Sequence, residues 1–372
     1  METYDMDVLV VGAGFSGAVA ARVLADRGYR VVVVEKRSHV GGNAWDSYDE
    51  HGILVHPYGP HIFHTNSERV FNWLSRFTDW RLYEHQVLAR IDGRLYPIPI
   101  NLITVNMVFG LNLKESEMPG FLETLREPRE LIRSSEDVLL NSVGRQLCDM
   151  FFRGYTKKQW GKDLSELAPS VAARVPYRTN DDSRYFLDKF QFMPKDGYAA
   201  LFARMLDHPN ISVRLNFDYL GRRDAIGAKH TIYTGPIDAF FDFRYGRLEY
   251  RSLRFEHYHL ADVEETDYVQ AAPVINFPAD NDYTRITEFK QLTAQRCRGS
   301  SLVKEYPMAD GDPYYPVPSP ANESLLRKYQ DHAESLKNIH FVGRLAQYRY
   351  YNMDQAVAAS IKATEEVEIR IA

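Results

Sequence analysis

The sequence predicts an α/β fold. A parallel nucleotide-binding sheet is left and later re-entered by the chain, and carries a helical insertion and an antiparallel β-sheet domain. Three observations predict it. The stretch Asp7 to Glu35, DVLVVGAGFSGAVAARVLADRGYRVVVVE, runs apolar strand, glycine turn, helix, apolar strand, acid. Leu102 to about Trp160 keeps a helical spacing of apolar residues, and the chain alternates further on. The end of the chain reads IHFV, then Gly343-Arg344, then a last helix from Met353, which is how a dinucleotide fold often closes.

In the first unit, Val8–Val11 and Val31–Val34 are short β-branched runs, suited to strands buried on both faces. Gly12, Gly14 and Gly17 have GxGxxG spacing, and Ala18 to Arg27 reads as a helix stopped by Gly28. Gly12 lets the chain turn, Gly14 lets backbone approach a pyrophosphate, and Gly17 lets helix and strand pack closely. Glu35, 18 positions after Gly17, can accept ribose hydroxyls. The glycines alone are a weak signal, and their order with strand, helix and acid makes it specific. Gly41-Gly42 follows in KRSHVGGNAW. A second close backbone approach suits a longer cofactor, so the domain reads as Rossmann-like and FAD-binding. No second GxGxxG exists for a separate NAD(P)H domain.

The 372 residues suggest two or three domains. A net charge of −5 with interspersed signs predicts neither a nucleic-acid partner nor a membrane surface. Cys148 and Cys297 are far apart and form no CxxC. There is no GxSxG elbow, no P-loop, no basic-then-apolar leader and no apolar run of about 18 residues. The expectation is a cytoplasmic protein with no membrane span.

His56, His61 and His64 lie within nine residues in HPYGPHIFHTN. A metal reading fails for want of a nearby Cys, Asp or Glu, so no metal is expected and a loop over a cofactor ring is the competing use. Val70 to Phe77 reads as a short helix, and Val87–Ile91 with Arg94–Pro97 as a hairpin turned by Asp92-Gly93. Val138 to Phe152 reads as one helix. Gly161 to Tyr185 is polar and aperiodic, either a lid with Arg174 midway or an ordinary surface connection. Ile211–Leu215 and Thr231–Tyr233 look β-like, Leu248–Leu260, Val274–Phe277 and Tyr283–Phe289 read as antiparallel strands, and Glu323–Leu336 as a helix. The domains are therefore 1–80, about 195–240 and 335–372 for the nucleotide; 100–190 helical, with a mobile lid at 161–185; and 81–99 with about 241–334 for the antiparallel substrate sheet.

In FFRGYTKKQWGKDLSEL, Tyr155 and Trp160 stand among Arg153, Lys157 and Lys158. Stacking on a base is worth about 1–3 kcal/mol in nucleic-acid sites, but the same spacing also fits a helix with its aromatics in a core. Arg174, Arg178, Arg184, Arg285 and Arg344 sit beside turn residues, and a guanidinium fork matches phosphate.

The stretches VVGAGFSGAVAA, VVEKRSHVGGNAW, YGPHIFHTN, RGYTKKQWGKDLSEL, ARVPYRTNDDSRYF, YTGPIDAFFD, GRLEYRSLRFE, NFPADNDYTRITEFK, KEYP, DPYYPV and FVGRLAQYRYYNMDQA resemble the bacterial UDP-galactopyranose mutase family. The likeness covers nearly the whole chain. It implies an isomerase that interconverts UDP-galactopyranose and UDP-galactofuranose in galactofuranose biosynthesis. The family needs FAD in its reduced form (FADH−) yet makes no net redox change. The implied chemistry is attack of flavin N-5 on the anomeric carbon of galactose, expulsion of UDP, sugar opening and reclosure, and return of UDP. An electron donor such as NAD(P)H and a homodimer are implied too.

Residue by residue, Arg174 and Arg285 resemble the pair that holds the diphosphate, and His64 a group that responds to the flavin. Tyr155 resembles the uracil-stacking residue, with Phe151, Phe152 and Thr156 beside it; Trp160 shapes the sugar site; Tyr185, Tyr315 and Tyr350 bind phosphate; His85 and Asn352 share the pocket. The cofactor set implied is Gly12, Gly14, Phe15, Ser16, Gly17, Glu35, Lys36, Arg37, Gly42, Asn43, His61, Ile62, Gly343, Arg344, Tyr350, Asn352 and Met353. Asn352 replaces the family's usual Asp, and Glu84 stands where Asn is expected; both bear on substrate preference. The alternative is an amine-oxidase-like flavin oxidoreductase, which shares the glycines and the acid but has no use for nucleotide-binding aromatics and arginines.

Overall fold

The computed structural model describes residues 6–174 and 176–371, with side chains as far as Val367. The outermost residues of the expected 1–80 and 335–372 spans, and Val175 within the lid span, lie outside the described residues.

Five parallel strands form the nucleotide sheet, in the order Ile211–Arg214, Val31–Val34, Val8–Val11, His230–Tyr233, Ile339–Phe341. The two valine-rich strands are buried along their whole length. The first helix runs Phe15–Asp26, starting three residues before the expected Ala18 because Gly14 takes the cap position. Gly28, at φ +94°, carries the chain away from its end. This helix shares a core with helices Gly197–Leu206 and Met353–Ile371.

The helix Pro320–Glu334 covers the opposite side, where fully buried Tyr329 meets Phe241, and Leu325 and Leu326 pack into the same core. This corrects the boundary near 334. The helix was expected with the antiparallel sheet, but its apolar stripe is spent on the nucleotide domain.

A seven-stranded sheet orders Tyr315–Pro316, Tyr250–Leu260, Ser300–Met308, Arg285–Glu288, Val274–Asn276, Val87–Ile91 and Arg94–Ile98. It is antiparallel except where Val274–Asn276 runs parallel to Val87–Ala89. Asp92 at φ +48° and Gly93 at φ +78° make the expected hairpin turn. The strand Ser300–Met308 escaped the sequence reading because its first four residues are all buried, which leaves no alternation. A small third sheet, Phe63–Thr65, Phe190–Pro194 and Trp80–Leu82, joins the histidine loop to the far end of the lid span.

In the helical insertion, the helix expected over Val138–Phe152 is broken at Val143–Gly144. Gly144 adopts φ +79°, and a Cβ there would lie 2.1 Å from the Leu125 carbonyl oxygen. The chain resumes as Gly144–Leu147, passes through a π-helical turn at Cys148–Arg153, and continues as Gly154–Trp160. Gly161, at φ +68°, ends it. Beyond it the lid span makes short turns at Leu164–Glu166 and Pro169–Ala172. Its second half is tied down: Arg178 N–H donates to Ile100 O (2.8 Å), Leu102 N–H to Asn180 O (2.9 Å), and Asn101 Nδ2 to Ser183 Oγ (3.0 Å).

Candidate active site

The glycines act in two ways. A Cβ on Gly17 would lie 1.8 Å from Gly12 O, and one on Gly12 2.1 Å from Thr234 Oγ1, so these positions serve packing. Gly14 and Gly42 instead bring two backbone turns together, since a Cβ on Gly42 would lie 3.0 Å from Gly14 Cα. The helix starting at Phe15 has no side-chain cap, which leaves its first-turn N–H groups for an anion. Glu35 is buried at the strand tip and accepts from Ala13 N–H (2.8 Å) and Arg37 N–H (2.9 Å).

These residues border a cavity of about 770 Å³. Of the expected cofactor set, Gly12, Gly14, Phe15, Ser16, Glu35, Lys36, Arg37, Gly42, Asn43, His61, Arg344, Asn352 and Met353 line it. Gly17, Ile62, Gly343 and Tyr350 are not on its wall. Gly17 packs on Gly12, Ile62 on the sheet core, and Gly343 on Ser16 Oγ, while Tyr350 turns to the tyrosines below. The far end adds Thr234, Phe217, Tyr219, Phe243 and Arg247, all missed from sequence. They sit on short irregular loops; the stretches YTGPIDAFFD and GRLEYRSLRFE held Thr234 and Arg247, and nothing marked the other three. Glycine cradle, free helix N-terminus and acid at the strand tip fit a dinucleotide.

A second cleft adjoins the first. Tyr315 and Tyr350 stack at 4.9 Å, with Trp160 at 6.3 and 6.0 Å from their rings. Arg344 lies over both tyrosines, and Arg174 lies 3.8 Å above the Tyr350 ring. Arg174 also donates to Tyr350 O (2.8 Å) and Asn352 Oδ1 (2.6 Å), so the lid span reaches across to the start of the last helix. From the other side, Arg285 Nη2 donates to Tyr155 OH at 2.8 Å, and its Nε lies 3.5 Å from Glu305 Oε2. Burial works against the charge of Arg285, but the Glu305 carboxylate and the oxygens of Tyr155, Tyr315 and Tyr185 together outweigh it. Burial pushes the Tyr155 hydroxyl up to about 12, so it stays protonated.

Glu305 is 2% exposed, and its Oε1 has no hydrogen-bond partner. It was missed although KEYP held it, because a lone acid on an unread strand gave no reason to select it. Tyr185 donates its N–H to His85 O at 2.6 Å. Burial pushes the His85 imidazole down to about 3 and that of His61 to about 4, so both are neutral.

Other expected residues have different neighbours. Phe151 sits in the helical core, edge-on to Tyr96, and Thr156 is buried. Phe152 lines a separate cavity of about 200 Å³ with Val138, Ala172 and Tyr177. The cations around Tyr155 do not face the cleft. Arg153 pairs with Glu136 and Asp149, Lys157 with Asp163, and Lys158 donates to the carbonyls of Phe277, Asp280, Asn281 and Tyr283. Glu84 is exposed and pairs with Arg184. No group of three metal-binding side chains occurs among the described residues.

Fold and site define a Rossmann-type dinucleotide-cofactor enzyme whose cradle opens on an arginine- and tyrosine-lined cleft. Residues 10–77 match a family model described as an NAD(P)-binding Rossmann-like domain, and residues 150–350 match one described as UDP-galactopyranose mutase. A probable UDP-galactopyranose mutase from Klebsiella pneumoniae is 41% identical over 97% of this chain and 94% of its own length. A dTDP-fucopyranose mutase from Escherichia coli is 38% identical over 96% and 97%. A crystal structure of reduced UDP-galactopyranose mutase superposes with a TM-score of 0.77 at 18% identity, over 99% of this chain and 97% of that one, which shows a shared fold. The chain belongs to the UDP-galactopyranose mutase family, a family of isomerases, and its cofactor is a flavin. No helix of the described residues is long and apolar enough to cross a membrane.

Proposed function

We propose that this protein interconverts UDP-galactopyranose and UDP-galactofuranose, with FAD bound in its reduced form. The observation that carries the reading is the convergence of Arg174 and Arg285, from opposite walls, on tyrosines beside the glycine cradle. When bound and reduced, the flavin supplies the nucleophile for the anomeric carbon, so no Ser, Cys or carboxylate triad is required of the chain.

The protein's work is binding and electrostatics. Tyr155 offers its ring to the base and orients Arg285 through its hydroxyl. Glu305 keeps Arg285 charged and in place. Arg174 brings a second cation from the lid, and the departing diphosphate takes over the hydrogen bonds Arg174 otherwise gives to Tyr350 O and Asn352. Trp160 walls the sugar, and Tyr315 and Tyr350 offer their hydroxyls to the diphosphate. Arg178 onward is pinned to Ile100 and Asn101, and residues 167–172 are tied to Ser135, so the movement of the lid centres on Arg174. Electrons arrive from a donor such as NAD(P)H before turnover begins.

The test is direct. The purified, flavin-loaded protein is reduced with dithionite, given UDP-galactofuranose, and its products resolved by chromatography. UDP-galactopyranose forming only after reduction is the expected result; no conversion by the reduced protein overturns the reading. A second reading, a dTDP-sugar substrate, is favoured by the Escherichia coli relative, 38% identical over nearly the whole chain. Running dTDP-fucopyranose in the same assay ranks the two by kcat/KM.

A further inference from the structure

His64 is held by a residue that no sequence pattern marks. His64 lies on the strand Phe63–Thr65, facing Gln191 across an antiparallel pair. Asp188 sits between the pinned end of the lid span and that partner strand. Its Oδ2 is 2.8 Å from His64 Nδ1, and its Oδ1 accepts from Asn66 Nδ2 at 2.8 Å.

The orientation of Asn66 is itself fixed. Its Oδ1 accepts the Lys189 backbone N–H at 2.9 Å, so its amino group must point at Asp188. Asp188 therefore acts as an acceptor at both oxygens, and the proton in its bond to His64 lies on Nδ1. Phe186 stacks on the imidazole at 3.6 Å and fixes the ring plane. Nε2 makes no hydrogen bond to protein among the described residues, and the ring keeps 13% of its exposure.

The far neighbour of Phe186 is His85, which touches Tyr185 and lies within the field of Arg285. On the next residue, Thr65 Oγ1 donates to Asp354 in the first turn of the last helix, whose start lines the cradle. The dyad thus stands where cradle and cleft meet.

We propose that Asp188 is a positioning residue that locks His64 in the Nδ1–H tautomer, so that Nε2 is presented to the reacting end of the site as a hydrogen-bond acceptor. Only the identity of the donor that Nε2 meets rests on the proposed mutase activity. That donor is an N–H or O–H group, on the reduced cofactor or on the sugar.

The decisive variant is Asp188→Asn. Asn66 can present only its amino group, so the new amide turns its oxygen to Asn66 and its own amino group to His64. Nδ1 must then accept, and the proton moves to Nε2. Long-range ¹H–¹⁵N spectra of flavin-free protein labelled at histidine should show His64 as Nδ1–H in the parent and Nε2–H in Asp188→Asn. The double variant Asn66→Asp/Asp188→Asn reverses the amide and should restore Nδ1–H.

In the reduced enzyme, kcat should fall by at least about tenfold in the single variant, as for an imidazole whose orienting acid is lost, with KM within twofold, and should recover in the double variant. A shift of the flavin midpoint potential places the donor on the cofactor, and an unchanged potential places it on the sugar. A parent His64 protonated on Nε2, or a tautomer unmoved by Asp188→Asn, overturns the proposal, whether or not the mutase reaction is found.

Discussion

Arg174→Ala separates two jobs that one side chain performs. In the structure Arg174 donates to Tyr350 O at 2.8 Å and Asn352 Oδ1 at 2.6 Å, and covers the Tyr350 ring at 3.8 Å. The side chain is exposed, so these contacts steady the lid by only about 0.5–1 kcal/mol. Stabilising a leaving diphosphate is the larger task. One charged donor at a developing anion is worth about 2–4 kcal/mol, or roughly two to three decades in rate. The expected result is a fall in kcat of that size in the dithionite-reduced enzyme. Flavin affinity should be unchanged, because Arg174 is absent from the cradle wall. Arg174→Lys keeps the charge but loses the fork that spans both acceptors, so it should fall between parent and alanine. A kcat for Arg174→Ala within about threefold of the parent would refute the assignment.

Gly42→Ala places a methyl 3.0 Å from Gly14 Cα at φ +56°, where the two cradle turns meet; flavin affinity by equilibrium dialysis should drop at least about tenfold. Asn352→Asp converts the neutral lid contact into an ion pair with Arg174; lid closure without substrate should rise and kcat fall, and added salt should relieve the effect. Acid should destabilise the flavin-free protein. Burial pushes His56 and His85 from 6.5 down to about 3 and His61 down to about 4, so between pH 7 and 5 the unfolded chain binds protons that the folded one refuses, at about 2 kcal/mol each. Asp46 acts oppositely. Burial raises it to about 6 against the N–H groups of Ala199 and Tyr198, so it takes up its proton earlier in the folded state and offsets about 1 kcal/mol. The net loss is about 4–5 kcal/mol, readable by urea unfolding at the two pH values; equal stabilities would contradict it.

What could be read without coordinates was what local chemistry repeats. Two four-residue valine-rich runs, three spaced glycines and an acid define a βαβ unit wherever they occur, because each answers a constraint met within thirty or so residues. Asp92-Gly93 made its hairpin for the same reason. Periodicity failed at Ser300–Met308, whose first four residues are buried on both faces, and at Val143–Gly144, where the close approach of the distant Leu125 carbonyl breaks a helix that its own residues would continue. It also failed to show that Lys158 is occupied by four loop carbonyls.

By itself the sequence determined the nucleotide cradle, the outline of the helical and antiparallel parts, and family-specific stretches that name the aromatic and cationic residues. Tertiary structure alone decided which of them meet. Arg285 is 130 positions from Tyr155 and 20 from Glu305, Arg174 is 178 from Asn352, and His64 is 124 from Asp188. Such pairs leave no local pattern, because what selects them is the distance and desolvation that exist only once the sheets and helices have packed.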